Sequence, residues 1–183
     1  MITGLNSSTA QNLQLGAGAI LKSKYVAGTQ LTAENILSAT NGGITFTAVP
    51  QWFVPSVDGM HNNIKGAGKR ITHWICTLSF TAVEADAEVL AKALGCADIS
   101  GNVITGRHII KAEDYADLYA IGEKGDGSVI QITLKNAMNT SGLSLTTTNN
   151  GNGGISFTIE ANYDINDLDT PPFEIETIAG ANA

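Results

Sequence analysis

The sequence predicts a mainly β protein, an antiparallel β-sandwich or small barrel with one flanking α-helix over about residues 82–95. Three observations support this fold class. Apolar and polar residues alternate along several short segments, a single segment has clear helical periodicity, and Gly, Asn, Thr and Ser are plentiful. About eight mostly antiparallel strands follow, with the helix covering an open edge or end of the sheets.

Period-two alternation is clearest from Ile71 to Thr81, where Trp74, Cys76, Leu78 and Phe80 point to one face. The triplet Asn41-Gly42-Gly43 predicts a turn. The other predicted strands are Leu13–Leu21, Ile44–Val49, Val103–Lys111, Tyr115–Gly122, Ser128–Lys135, Ile155–Tyr163 and Phe173–Ile178.

The helix is predicted from its ends and its apolar stripe. Thr81 with Glu84 three residues later has the spacing of a capping box, so Thr81 is the expected start. Gly95 is the expected end. The apolar stripe consists of Val83, Ala87, Leu90, Ala91 and Leu94.

The chain divides into a polar arm, a domain and a long loop within that domain. Residues 1–12 are rich in Ser, Thr, Asn and Gln and are predicted to be a flexible N-terminal arm, and residues 13–183 to be a single β-sandwich domain. Residues 50–70 show no clear period and predict a protruding loop, and a connection of this length is usually functional or disordered.

Charge and apolar content restrict the function classes. The net charge is −7, with six acids and no base from Glu160 to Glu176, and the only basic clusters are Lys65, Lys69 and Arg70, and Lys22 with Lys24. Because tight, general binding of nucleic acid needs clustered Lys and Arg, the sequence argues against a protein that wraps nucleic acid. No apolar run is long enough to span a membrane, and the N-terminus has no signal-peptide pattern. We therefore expect synthesis in a reducing cytoplasm, where Cys76 and Cys96 are expected as buried thiols more than as a disulfide.

No motif predicts an enzyme, a cofactor or a metal site. Gly66-Ala67-Gly68-Lys69 lacks the leading Gly of a phosphate-binding loop, and His73 and Cys76 fall on opposite faces of one strand. Cys76, His108 and Asp114 can be combined as a nucleophile, base and acid, but a mid-strand Cys on an apolar face is not at the sharp turn such a nucleophile uses. We expect a protein without catalytic activity.

The aromatic pair Trp52 and Phe53 in the long loop is the informative feature. Each side chain would cost roughly 2–3 kcal/mol if it stayed in water. Either the pair folds back onto its own domain or it docks on a neighbouring molecule, as an interface anchor does. Together with the few charges, which give weak repulsion between copies, this favours a structural protein that assembles with itself.

Four features together resemble the major tail tube proteins of long-tailed bacteriophages. They are the strand from Leu13 to Leu21, the turn and strand from Ala39 to Phe46, the group Val57-Asp58-Gly59 before Lys65-Gly66, and the strand and helix from Trp74 to Leu94. The resemblance covers about the first half of the chain.

The resemblance implies a virion protein made in the host bacterial cytoplasm. It implies rings of six subunits stacked into a tube, with partners among other tail proteins (tape measure, tail tip and terminator), and DNA that passes through an acidic lumen without specific binding. The arm and the loop would bridge rings, through contact residues Trp52, Phe53, Val54, Val57, Asp58, Ile64 and Lys65. The acids expected at the lumen are Glu160, Asp164, Asp167 and Asp169.

Two other readings stay open from the sequence. One is a ring or tube component of a contractile injection or secretion machine, which would have a similar core. The other is a β-sandwich carbohydrate-binding module, against which the few aromatic residues count.

Overall fold

The structure, a computed structural model, describes residues 18–56, 58, 65, 68–146 and 153–179. The predicted arm over residues 1–12 lies outside this part of the chain. The strands are β1 (Ala19–Leu21), β2 (Ile36–Phe53), β3 (Arg70–Ala82), β4 (Ala97–Ser100), β5 (Val103–Gly106), β6 (Ala116–Glu123), β7 (Val129–Asn139), β8 (Leu145–Thr146), β9 (Gly154–Glu160) and β10 (Phe173–Ile178). The helix α1 spans Ala87–Leu94, and a short 3₁₀ turn spans Ala112–Asp114.

Eight strands form one antiparallel sheet that folds back on itself. Their order is β10-β7-β6-β1-β2-β3-β9-β8, and the end of β7 also pairs with β9, at Met138↔Glu160 and Asn139↔Ile159. Strands β4 and β5 form a separate two-stranded ribbon. This arrangement confirms the predicted fold class, a β-sandwich or barrel with one helix.

The core lies between the two halves of the sheet and under α1. Phe80 and Phe157 stack with ring centroids 4.8 Å apart and an angle of 8° between the ring planes. The helix adds Val89 and Ala93, both fully buried. The other fully buried apolar residues of this cluster are Ile20, Leu78, Ala82 and Leu134.

The helix begins later than predicted, and the Thr81–Glu84 capping box is wrong. Thr81 still belongs to β3, where it pairs with Ser156 of β9. The actual N-cap is Asp86, whose Oδ1 accepts a hydrogen bond from the Val89 N–H at 2.8 Å. Because strand pairing continues to Ala82, the sheet overrides the local capping signal.

The predicted turn at Asn41-Gly42-Gly43 is also wrong. Strand β2 pairs with β3 both before and after this triplet, at Asn41↔Thr81 and Ile44↔Phe80. The two glycines between these pairs form a bulge. Their φ angles are 81° and 87°, a conformation that glycine adopts without steric cost.

The predicted loop over residues 50–70 is shorter than expected. Residues 50–53 are the end of β2 and Arg70 is the start of β3, with pairs from Pro50↔Trp74 to Phe53↔Arg70. Pro50 and an irregularity between Gln51 and Trp52 interrupt the alternation, which explains why the sequence pattern did not reveal this part of the hairpin.

Candidate assembly surface

The ends of β2 and β3 extend beyond the sheet as a two-stranded arm. Strand β1 pairs with β2 only near residues 36–39, and β9 pairs with β3 only over residues 77–82. Residues 49–53 and 70–75, which we call the hairpin arm, therefore pair only with each other within the described strands. An isolated pair of strands is marginally stable in water, so this arm needs support from elsewhere.

The base of the arm is fixed to the body by aromatic contacts. The Phe173 ring lies 5.6 Å from that of Phe46 and 5.5 Å from that of Trp74, measured between centroids. The backbone N–H of Trp74 donates a hydrogen bond to the Tyr163 hydroxyl oxygen at 2.7 Å. One face of the arm is therefore held by β10 and by the chain that follows β9.

The opposite face of the hairpin carries one exposed apolar pair where the arm begins. Successive cross-strand pairs on this face are Thr45↔Ser79, Thr47↔Thr77, Val49↔Ile75 and Gln51↔His73. The body thus presents hydroxyl side chains, whereas the arm presents Val49 and Ile75, both exposed, and then a polar pair. Thr has a β propensity comparable to that of Val and Ile, so strand formation alone does not require this change.

The tip of the arm combines aromatic and cationic side chains. Trp52 is 51% exposed and Phe53 is 45% exposed. The Lys69 Nζ lies 4.7 Å from the centroid of the Trp52 ring, and the Arg70 Cζ lies 5.1 Å from that of Phe53. These cation–π contacts hold both rings in place at the tip while leaving about half of each ring surface uncovered.

The expected contact residues fall into three groups. Trp52 and Phe53 are at the tip of β2, and neither folds back fully onto the domain. Val54 is half-buried, whereas Asp58 and Lys65 are exposed. Val57 and Ile64 lie outside the described residues. Which of these residues contact another subunit stays a prediction.

The four expected lumen acids are all exposed, near the arm end of the sandwich. Glu160 ends β9, and the three Asp residues lie in the connection to β10. Asp164 Oδ1 accepts from the Asn166 N–H at 2.8 Å. Asp167 accepts from the Thr170 N–H, and hydrogen bonding with Thr170 lowers the Asp167 pKa below its usual value. The turn that Asp167 closes therefore favours the charged form of the Asp167 carboxylate.

An apolar cleft of about 560 Å³ opens between the bulge in β2 and the strands β6, β7 and β10. Gly18 lies at the edge of the cleft, directly before β1, and a methyl group at this position would clash with Ile44 Cδ1. The other residues lining the cleft are Thr40, Gly42, Gly43, Ala120, Ile121, Gly122, Ile130, Ile132 and Ile175. Sequence reasoning missed this cleft because its walls come from five separate segments.

Exposed apolar side chains also occur away from the arm and the cleft. Ile99 and Val103 lie on the β4–β5 ribbon, Ile109 lies after it, and Ile165 and Leu168 lie between β9 and β10. Apolar residues scattered singly over a surface are common, so these positions do not by themselves indicate an interface.

The β4–β5 ribbon is held to the body by a largely buried ion pair. The Arg107 guanidinium contacts the Asp114 carboxylate, with exposed side-chain fractions of 12% and 6%. Arg107 Nε also lies 2.9 Å from Asp98 Oδ1, an ion pair whose N–H is not aligned for a hydrogen bond. The ribbon and its apolar side chains are thereby fixed in position.

The residues considered for chemistry do not form a reactive group. Cys76 is buried, and burial raises the pKa of its thiol to about 11. Asp114 is engaged by Arg107, and His108 is exposed. Both cysteines are free thiols. Within the described ranges, no cluster of three or more His, Cys, Asp or Glu could hold a metal ion. In the same ranges, every helix is too short or too polar to cross a membrane.

Two solved structures resemble this chain in three dimensions. One is a chain in the virion of a native gene transfer agent particle, with 12% identity, a TM-score of 0.40, and coverage of 89% of this chain and 96% of the other. The second is a chain in the tail of an empty gene transfer agent particle, determined by helical refinement with C6 symmetry. It has 12% identity, a TM-score of 0.39, and coverage of 88% and 95%. No protein-family model and no curated protein matches the chain.

Proposed function

We propose that this chain is a non-catalytic structural subunit of a phage-type tail, which assembles into rings of six that stack into a tube. The observation that carries the proposal is the hairpin arm, which exposes Val49, Trp52, Phe53, Ile71 and Ile75. In a monomer this arm would expose two aromatic rings and three aliphatic side chains to water, at a cost that burial in a neighbour removes.

In the assembled tube the arm and the N-terminal residues 1–12 would bridge stacked rings. Trp52, Phe53, Val54, Val57, Asp58, Ile64 and Lys65 are the proposed contact residues. The exposed apolar residues on the β4–β5 ribbon offer additional surface for contacts within a ring. Heterologous contacts of this kind close into rings when the rotation between copies allows it, and otherwise extend as helices.

The proposed lumen carries negative charge. Glu160, Asp164, Asp167 and Asp169 are exposed on the described surface, and the whole chain has a net charge of −7. A wall of carboxylates repels phosphates, so DNA would pass along it without binding. Tape measure, tail tip and terminator proteins are the partners that such a tube would need at its ends and inside.

Negative-stain electron microscopy of the purified protein at low and high concentration tests this proposal. We expect rings with six subunits and hollow tubes whose amount rises with concentration. Sedimentation that finds only monomers up to the highest soluble concentration, with no rings or tubes on the grid, would contradict it. Tubes that form only with a sheath protein would favour a contractile machine.

A further inference from the structure

The apolar cleft and the arm tip lie on the same strand but far apart. Ile44 lines the cleft, and Trp52 is at the tip eight residues later. At about 3.3 Å per residue, β2 separates them by roughly 26 Å. Because a continuous paired strand holds both, the tip of one molecule cannot reach the cleft of the same molecule.

We propose that the cleft receives the tip of the hairpin arm from a second copy of this chain, with the Trp52 side chain as the main anchor. This inference rests on the proposed function and names the acceptor surface for the arm, which nothing above assigns. The contact is heterologous, because each copy contributes a tip to one neighbour and a cleft to another, and it therefore propagates along a stack.

The dimensions and chemistry of the two surfaces match. The cleft volume of about 560 Å³ is within the ~300–1,000 Å³ that binds compact organic ligands, which leaves room for an aromatic side chain. Its walls carry Ile44, Ile130, Ile132 and Ile175, and the last of these is 58% exposed. Half-exposed aliphatic walls are the surface that an aromatic anchor covers at an interface hot spot.

Charge favours a second copy as the occupant. Lys69 and Arg70 flank the rings at the tip, and the arm residues 49–53 and 70–75 include no acid. The whole chain has a net charge of −7, so without these two cations the rest of it has a net charge of −9, and the body of another copy attracts the tip. Among the described residues no charged side chain lines the cleft itself, and Glu176, which lies on the opposite face of β10 from Ile175, is already paired with Lys24 at 2.8 Å.

Cross-linking between two singly substituted proteins tests this contact. One protein carries Phe53→Cys, which keeps the Trp52 anchor, and the other Ile175→Cys, both with Cys96→Ser, while Cys76 stays because it is buried. After equimolar mixing and mild oxidation, we expect a two-chain band that neither protein forms alone. The matched control replaces Ile175→Cys with Ile165→Cys, at an exposed position outside the cleft, and should give at least about tenfold less of that band.

A charge variant provides a second measurement that does not depend on disulfide geometry. Ile175→Lys adds a cation where Lys69 and Arg70 would dock, so we expect at least a tenfold higher concentration for assembly. Ile165→Lys should leave this concentration within about twofold. Equal effects of the two variants would overturn the inference.

The outcomes separate this inference from the proposed function. Rings or tubes on the grid without preferential cross-linking at Ile175 would overturn the tip-and-cleft contact and leave the tube proposal standing. Preferential cross-linking without rings or tubes would support the contact and contradict the tube. Absence of both would overturn both. If the chain's own residues before Gly18 occupied the cleft, rings or tubes would form without preferential cross-linking at Ile175.

Discussion

Replacement of Trp52 by Ala should weaken assembly far more than folding. A fully buried Trp covers up to about 250 Å². Since Trp52 is 51% exposed in the subunit, roughly 100 Å² remain for a partner to cover. At about 25 cal/mol per Å² this area corresponds to ~2.5 kcal/mol, which is a roughly 70-fold increase in the concentration at which assembly begins.

The assay measures the protein left in the supernatant after assembled material has been sedimented, across a series of total concentrations. Ile165→Ala is the control and should leave the assembly concentration nearly unchanged. Ile165 is 85% exposed, so if exposed apolar area alone decided assembly, this substitution would raise the assembly concentration as much as Trp52→Ala or more. The free energy of unfolding, measured in urea, should fall by about 1 kcal/mol or less, because Trp52 packs in the subunit against the exposed Lys69 side chain. A change of less than threefold in the assembly concentration would refute the reasoning.

Two further predictions concern the subunit itself. Arg107→Ala should lower the free energy of unfolding by about 3 kcal/mol, because it leaves the Asp114 carboxylate buried without its guanidinium; a loss below ~1 kcal/mol in urea denaturation would show that the ion pair contributes little. In the folded protein at pH 8, a thiol reagent should modify Cys96 readily and Cys76 only on unfolding, because burial both shields Cys76 and raises its pKa to about 11. Equal modification rates for the two thiols would contradict the buried position of Cys76.

The β class of the fold could be predicted because period-two alternation is a local signal. Ile71 to Thr81 alternates without interruption, and the structure places this segment within β3. Positions that depend on pairing were harder to predict. Gly42 and Gly43 predict a turn locally, but only the continued pairing with β3 shows that they form a bulge.

The candidate surface was predictable in part. Trp52 and Phe53 are conspicuous in sequence because two adjacent aromatics among Pro, Gly and Asn are costly to expose, and the structure does leave both about half exposed. The cleft was not predictable. Its residues, from Gly18 to Ile175, come together only after the sheet has folded back on itself, and none of them carries a motif.

The length of β2 is the strongest physical reason to expect a partner for the arm. Its 18 residues compare with a mean strand of about 5–6. Each ordered residue costs about 1–2 kcal/mol of backbone entropy, and the last pairs of the hairpin gain little burial in the subunit to offset it. The body has the polar pair Thr47↔Thr77 on one face, and the arm has Gln51↔His73 on the same face, so an extension made only for solvent could have stayed polar throughout. The exposed pair Val49↔Ile75, together with Trp52 and Phe53 at the tip, is instead what an arm needs when another molecule covers it.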